Sequence, residues 1–335
     1  MLYSFIDILA VLVPVLLAVA YITLFERKVL GSMQRRVGPD TVGIYGIGQP
    51  FSDALKLLVK ETIIPMQSQK ILFFLAPAVT LASVLIGWAV IPFGQGLMIT
   101  DLELGWLFSL AAGSISIYGV LFAGWSSNSA YSLLGSLRST AQLISYELAF
   151  SGAALGALIL GGSFSLISIT EYQESIWICV PLLPLFLIFL ITCLAELNRT
   201  PFDLVEAESE LVSGFMTEYS AFIFVGFFLF EYCSIILLSS LASILFLGGY
   251  SLPNIVGLHS LYLLWYTLPL FSLIPLSAFA LGVKICALCF GVFWVRATLP
   301  RLRYDQLMTA CWTILLPLIF GYLVCIMSIL VIFNS

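Results

Sequence analysis

Between Ala195 and Leu211 the chain reads Ala-Glu-Leu-Asn-Arg-Thr-Pro-Phe-Asp-Leu-Val-Glu-Ala-Glu-Ser-Glu-Leu. Five acids, Glu196, Asp203, Glu206, Glu208 and Glu210, thus stand beside one arginine, Arg199. On a helix, Asp203, Glu206 and Glu210 share a face and Glu208 lies opposite. The protein is 61% hydrophobic and only 9% charged, so ionisable residues are scarce elsewhere. Acids gathered at a membrane edge bear a desolvation cost that asks for a use, such as moving protons or holding a polar headgroup. The plain alternative is a solvated loop. More acids belong to apolar stretches: Glu147 opens the fourth, Glu218 and Glu231 lie in the sixth, and Lys284 is the base inside the seventh. Glu218 and Glu231 are separated by about 20 Å of helix rise and point about 140° apart on a regular helix. They cannot form one dyad, but they can be successive stations of a proton path. A carboxyl in apolar surroundings can load and release protons near neutrality. Neutralised or paired structural acids are the other reading, and a static Glu231–Lys284 pair is one form of it.

Other chemistries are poorly served. The seven cysteines, Cys179, Cys193, Cys233, Cys286, Cys289, Cys311 and Cys325, lie almost all within apolar runs. Cys286-x-x-Cys289 has a metal-ligand spacing, but no second pair completes a tetrahedral or iron–sulfur site. His259 is the sole histidine, which excludes bis-histidine haem and disfavours a Ser-His-Asp arrangement. The glycine-rich run from Gly38 to Gly48 lacks the Lys-Ser/Thr of a phosphate cradle and reads as an irregular surface loop. No metal site and no bond-making catalytic residue are expected, so electrons for any redox chemistry must come from a partner.

The elements that position these residues follow from hydropathy. A mean hydropathy of +1.12 excludes a soluble globule. Apolar runs of about 20 residues predict an all-α polytopic membrane protein with about eight spans. These lie near 4–25, 71–93, 103–125, 141–162, 176–195, 215–247, 262–295 and 308–333, within one transmembrane domain covering residues 1–335. The runs do not alternate as barrel strands do. Pro181 and Pro184 in the fifth span, and Pro269 and Pro275 in the seventh, predict kinks. Arg27, Lys28, Arg35, Arg36, Lys56, Lys60 and Lys70 precede the second span. Arg138, Arg199, Arg296, Arg301 and Arg303 fall in later loops on the same side, so twelve of the thirteen basic residues share one face. That face is the matrix or cytoplasm, and both termini lie opposite. Near the first loop, Phe51, Ala54, Leu55, Leu58 and Val59 oppose Asp53, Lys56 and Lys60, which predicts an amphipathic surface helix over 51–60. Met1 leads almost directly into the first span without an Arg-rich transit peptide, so insertion is expected where the chain is made. The net charge of −5 gives no reason to expect nucleic acid, and no internal repeat of the transporter kind is evident.

Three long motifs resemble the family of NADH:ubiquinone oxidoreductase chain 1, the membrane subunit of respiratory complex I. The first comprises Leu24-Phe25-Glu26-Arg27-Lys28, Gln34 to Asp40, and Gln49 to Leu57. The second is Ala195 to Leu211. The third is Trp294 to Ala297 with Pro300 to Met308. The resemblance covers nearly the whole chain, although Asp40 stands where many relatives have asparagine. It implies eight transmembrane helices and a quinone tunnel whose lipid-facing portal lies beside the first span and the amphipathic helix, near Ala54 and Leu58. It also implies that the headgroup is reduced in partner subunits carrying FMN and iron–sulfur clusters. In that family Arg27, Arg36, Arg199, Arg296 and Arg301 are expected to line or brace the tunnel. Glu26, Asp53, Asp203, Glu206, Glu208 and Glu210 form its acidic junction, and Glu147, Glu196, Glu218, Glu231 and Lys284 carry the proton path into the membrane. Ubiquinone, membrane lipid and the other subunits are the implied partners, and the mitochondrial inner membrane, or a bacterial plasma membrane, the implied location. The competing readings are the related membrane subunit of a membrane-bound hydrogenase and a stand-alone proton-coupled transporter.

Overall fold

The computed structural model describes residues 2–94, 96–203, 213–252 and 276–334. Glu206, Glu208, Glu210, His259, Pro269, Pro275 and the first part of the predicted seventh span, 262–275, lie outside the described residues. Among those described, the regular backbone is helical apart from one isolated bridge between Gly94 and Leu97.

The helices are α1 (Leu2–Met33), α2 (Gln49–Val59), α3 (Lys70–Gly87), α4 (Gly105–Ser127), α5 (Ala130–Gly161), α6 (Leu166–Tyr172), α7 (Leu183–Glu196), α8 (Ala221–Phe246), α9 (Leu276–Thr298), α10 (Tyr304–Thr309) and α11 (Leu316–Asn334). A π-helical segment, Ala310–Leu315, joins the last two. Seven of the described helical stretches are long and apolar enough to cross a membrane, and α7 is a shorter apolar helix. The protein is a polytopic all-α membrane protein.

The bundle is built around α8. From Tyr232 to Phe246 every residue except Ser234 is buried, so this helix is hydrophobic all round because it has protein on every side. The outer helices instead expose large apolar residues, such as Val331 and Ile332 on α11, to the surroundings a bilayer provides. Small residues allow close helix approach. A Cβ on Gly119 of α4 would meet Thr80 Cγ2 and come within 3.0 Å of the Ala76 carbonyl on α3.

Several boundaries differ from the hydropathy reading. α1 continues past the first apolar run to Met33, so Glu26, Arg27 and Lys28 are helical. α5 begins at Ala130, capped by Ser129, whose side chain accepts from Ser132 N–H. Glu147 is therefore mid-helix rather than at a helix start, and Arg138 is on the helix, its guanidinium 5.9 Å above the Tyr304 ring. The polar opening of α5 reads as a loop in sequence. Its buried Ser132, Ser136, Ser139 and Thr140 nonetheless satisfy their hydroxyls on backbone carbonyls three residues earlier. Glu218 precedes α8 rather than lying within it, so a single helix does not separate it from Glu231. Pro184 occupies the first turn of α7, where its missing N–H costs nothing, and Pro181 lies ahead of the helix; neither kinks a span.

Candidate functional site

On the basic side, α1 presents adjacent acid and base to opposite surroundings. Glu26 faces inward and is buried, while Arg27 faces α2, where it pairs with Asp53 at 2.8 Å. Asp53 is held in turn by Gln49 Nε2 at 2.9 Å. Around this pair opens a cleft of about 360 Å³ between α1, α2 and α8, with Val19, Thr23, Ala54, Leu57, Phe224 and Phe228 in its wall. Ala54 lines it, but Leu58 does not; Leu57 takes that place and Leu58 points outward with Phe51, Leu55 and Val59. The face of α2 seen by the bundle is thus Pro50, Asp53, Ala54 and Leu57, and the apolar stripe is left to the lipid boundary.

Behind α1, one carboxylate gathers three donors. Glu26 Oε1 accepts from Arg296 and, at 3.5 Å, from Arg199; Glu26 Oε2 accepts from the Tyr232 hydroxyl at 2.6 Å. Arg199 Nη2 lies 3.7 Å from Glu231 Oε2, and its guanidinium sits 4.8 Å above the Tyr232 ring. Among the described residues this largely buried cluster brings together two carboxylates and two guanidiniums. Phe228 in the cleft wall lies 4.7 Å from the Tyr232 ring, so the cleft and the cluster are in direct contact.

The segment bearing Arg199 is stapled from below. Gln142, fully buried on α5, donates from Nε2 to the Ala195 carbonyl at 2.9 Å and the Phe202 carbonyl at 3.0 Å. The Thr200 hydroxyl donates to the Arg296 carbonyl and Leu302 N–H to the Pro201 carbonyl, which ties the segment to the end of α9. Asp203 is buried and pairs with Arg301 at 3.3 Å. Arg36 lies exposed in the turn after α1, with its backbone N–H on the Gly31 carbonyl. The glycine-rich run after it folds onto α1, with Lys28 donating to the Tyr45 carbonyl. Gly46 in that run has φ +76°, and a Cβ there would overlap Pro39.

Deeper in the bundle, a cavity of about 70 Å³ lies between α3, α4, α5, α7 and α8, with Glu147, Glu196, Ser83, Ser109, Ser116 and Ser234 in its wall. That is room for several waters, with polar groups to hold them. Glu147 Oε1 is hydrogen-bonded to Ser114 Oγ, while Glu196 Oε2 is buried and finds no hydrogen-bond partner among the described residues. Glu196 is three residues from Arg199, and Ser234 one turn from Glu231, so the chamber adjoins the ionic cluster.

Lys284 sits elsewhere. Its ammonium donates to the carbonyls of Leu247, Gly249 and Ser251 at 2.7, 2.8 and 2.7 Å and lies 4.9 Å above the Trp177 ring. Leu247 follows Glu231 by 16 residues, about 24 Å of helix rise. The Glu231–Lys284 pair is therefore not formed; Lys284 instead closes the far end of α8, where carbonyls lacking helical partners attract a cation. Cys286 and Cys289 line an apolar cleft of about 510 Å³ on the other side of α1, and the Cys289 thiol donates to the Ser239 hydroxyl.

Tyr232, Gln142 and Ser114 carry no signal in the sequence that marks them as site residues. All three are uncharged, and their partners are distant in sequence, so only the fold reveals them.

The family model described as NADH dehydrogenase matches residues 6–327. The chain is 55% identical to NADH-ubiquinone oxidoreductase chain 1 of Mycosarcoma maydis, covering 99% of this chain and 98% of the relative. It is 50% identical to chain 1 of Yarrowia lipolytica, covering 100% and 98%, and 47% identical to a NADH-quinone oxidoreductase subunit of Rhodospirillum centenum, covering 98% and 94%. With such matches over nearly its full length, the chain belongs to the NADH dehydrogenase family of membrane subunits that includes NADH-ubiquinone oxidoreductase chain 1.

Proposed function

We propose that the chain is the membrane subunit of a proton-translocating NADH:ubiquinone oxidoreductase, acting as a single multi-pass domain in the mitochondrial inner membrane. Ubiquinone enters from the bilayer through the cleft between α1, α2 and α8, with its isoprenoid tail against Val19, Leu57, Phe224 and Phe228. The headgroup moves on toward partner subunits, which bring FMN and iron–sulfur clusters and supply the electrons. Arg27, Arg36, Arg199, Arg296 and Arg301 line or brace this route. No side chain of this protein forms a bond to the quinone.

The second task is the proton. Glu26, Asp53 and Asp203, together with Glu206, Glu208 and Glu210, form the acidic junction. Glu231, Glu196 and Glu147 lead inward, with Glu218 at the basic edge and Lys284 at the far end. The observation that carries this reading is continuity. The cleft wall touches Tyr232 through Phe228, Tyr232 donates to Glu26, and Arg199 joins Glu26 to Glu231. Beyond Glu231, Phe230 and Ser234 of the same helix wall the chamber of Glu147 and Glu196. Two carboxyls on the wall of one cavity with room for waters suit proton transfer through those waters. The fungal relatives support the mitochondrial assignment.

Purification of the native assembly tests the reading. A large complex that oxidises NADH with ubiquinone and takes up protons supports it. An assembly that evolves hydrogen and ignores quinone would point to the hydrogenase relative, and the chain alone transporting a solute with protons would point to a transporter.

A further inference from the structure

The serines lining the Glu147 chamber differ from the one that meets Glu147 itself. Ser83, Ser109, Ser116 and Ser234 each donate their hydroxyl hydrogen to the carbonyl three residues earlier, at 2.8, 2.7, 2.6 and 2.7 Å. Their hydrogens are committed to backbone, so toward the chamber they offer lone pairs only. Ser114 differs. Its Oγ lies 3.1 Å from the Leu110 carbonyl and is also hydrogen-bonded to Glu147 Oε1, so one hydrogen faces two acceptors.

We infer that Ser114 is a positioning residue that satisfies Glu147 in both of its protonation states by turning a single O–H. This rests on the reading of Glu147 as a proton-path group. When Glu147 is ionised, the charge-assisted bond is the stronger, and the Ser114 hydrogen points to the carboxylate. The Leu110 carbonyl loses little, because it remains within reach of the backbone N–H four residues on. When Glu147 takes a proton on Oε1, the carboxyl becomes the donor and Ser114 Oγ the acceptor, and the serine hydrogen turns back to Leu110. Ser114 keeps its own proton throughout, and the proton that Glu147 gains or releases passes by way of the chamber. No heavy atom has to move, and neither state leaves this half-buried pair without its hydrogen bond, a loss that would otherwise weigh on the transfer. Among the residues lining the chamber, the titratable groups facing Glu147 reduce to Glu196.

The test compares Ser114→Ala, Ser114→Thr and Glu147→Gln in the intact complex. It reads assembly, NADH oxidation by a hydrophilic acceptor, quinone-linked turnover with its quinone KM, and proton uptake. Alanine is the better helix former, so Ser114→Ala should assemble. Its quinone-linked turnover and proton uptake should fall about tenfold, the scale of one lost charge-assisted hydrogen bond, with KM and the hydrophilic-acceptor rate unchanged. Ser114→Thr keeps the hydroxyl and should restore turnover. A Ser114→Ala variant that works like wild type, a threonine variant as slow as the alanine variant, or failure of Ser114→Ala to assemble each overturns the inference. If Glu147→Gln is impaired while Ser114→Ala is not, only the role of Ser114 falls. If Glu147→Gln pumps at full rate, the proton-path reading falls with it.

Discussion

The ionic cluster at Glu26 and the chamber at Glu147 adjoin each other, yet they hold their carboxyls in apolar surroundings by opposite means. Glu26 and Glu231 are neutralised by Arg199 and Arg296, with Tyr232 completing the hydrogen bonds. Among the described residues, Glu147 and Glu196 form no ion pair; Glu147 meets the Ser114 hydroxyl, and both carboxyls face cavity space. A carboxylate fixed between two guanidiniums gives up its charge only at the expense of its partners, so the cluster is suited to holding geometry and answering to what enters the cleft. A carboxyl facing water and hydroxyls can change protonation without stranding a cation. Acids within one membrane subunit thus need not share one role.

The largest effect is expected at the cluster. Glu26→Gln leaves Arg199 and Arg296 facing one carboxylate fewer, and loss of one member of a buried ion pair costs about 3–5 kcal/mol. Reduced assembly on native gels is the expected outcome. Replacing Glu26 and Arg296 together by apolar residues should recover much of it. Full assembly of the single variant would show that the cluster does not hold the fold.

A smaller effect is expected at the far end of α8. Lys284→Met removes the donor to three carbonyls, at about 1–3 kcal/mol for buried groups left unsatisfied. Because Lys284 and Glu231 are at different depths, Lys284→Met and Glu231→Gln should be additive in stability within about 0.5 kcal/mol. Strong compensation in the double variant, measured by thermal inactivation, would restore the static pair that the geometry argues against.

The smallest stability effect should come from α2, where two neighbouring positions ought to separate. A tryptophan at Ala54, inside the cleft, should slow long-tailed quinones more than short-tailed ones. A tryptophan at Leu58, facing outward, should change stability by less than about 0.5 kcal/mol, as surface substitutions usually do, and leave both quinones alike. Equal losses for both tail lengths at Ala54 would count against the cleft as the route.

Much of this is legible in the chain and some is not. The apolar runs reveal the membrane class and most spans, because a bilayer demands long uninterrupted helices. Glu26, Arg199, Glu231 and Arg296 stand out because charge is scarce. Their partnership does not, since the contacts join residues 173 and 270 positions apart. The start of α5 is hidden because serines that bond to their own helix backbone resemble a loop in composition. The seat of Lys284 is hidden for a related reason: its partners are carbonyls, which every residue carries. Leu57 rather than Leu58 in the cleft reflects a rotation of α2 that an amphipathic pattern leaves free.

On the proposed route Glu147 stands in the chamber beyond the ion-paired Glu231, where it takes up and releases the proton. Proton uptake per NADH oxidised, measured in membranes carrying Glu147→Gln with ubiquinone as acceptor, tests it most directly. The expected result is normal assembly and normal NADH oxidation by a hydrophilic acceptor, with proton uptake and quinone-linked turnover lowered at least tenfold, about 1.4 kcal/mol or more in the limiting step. Wild-type proton uptake in a fully assembled Glu147→Gln complex would contradict it.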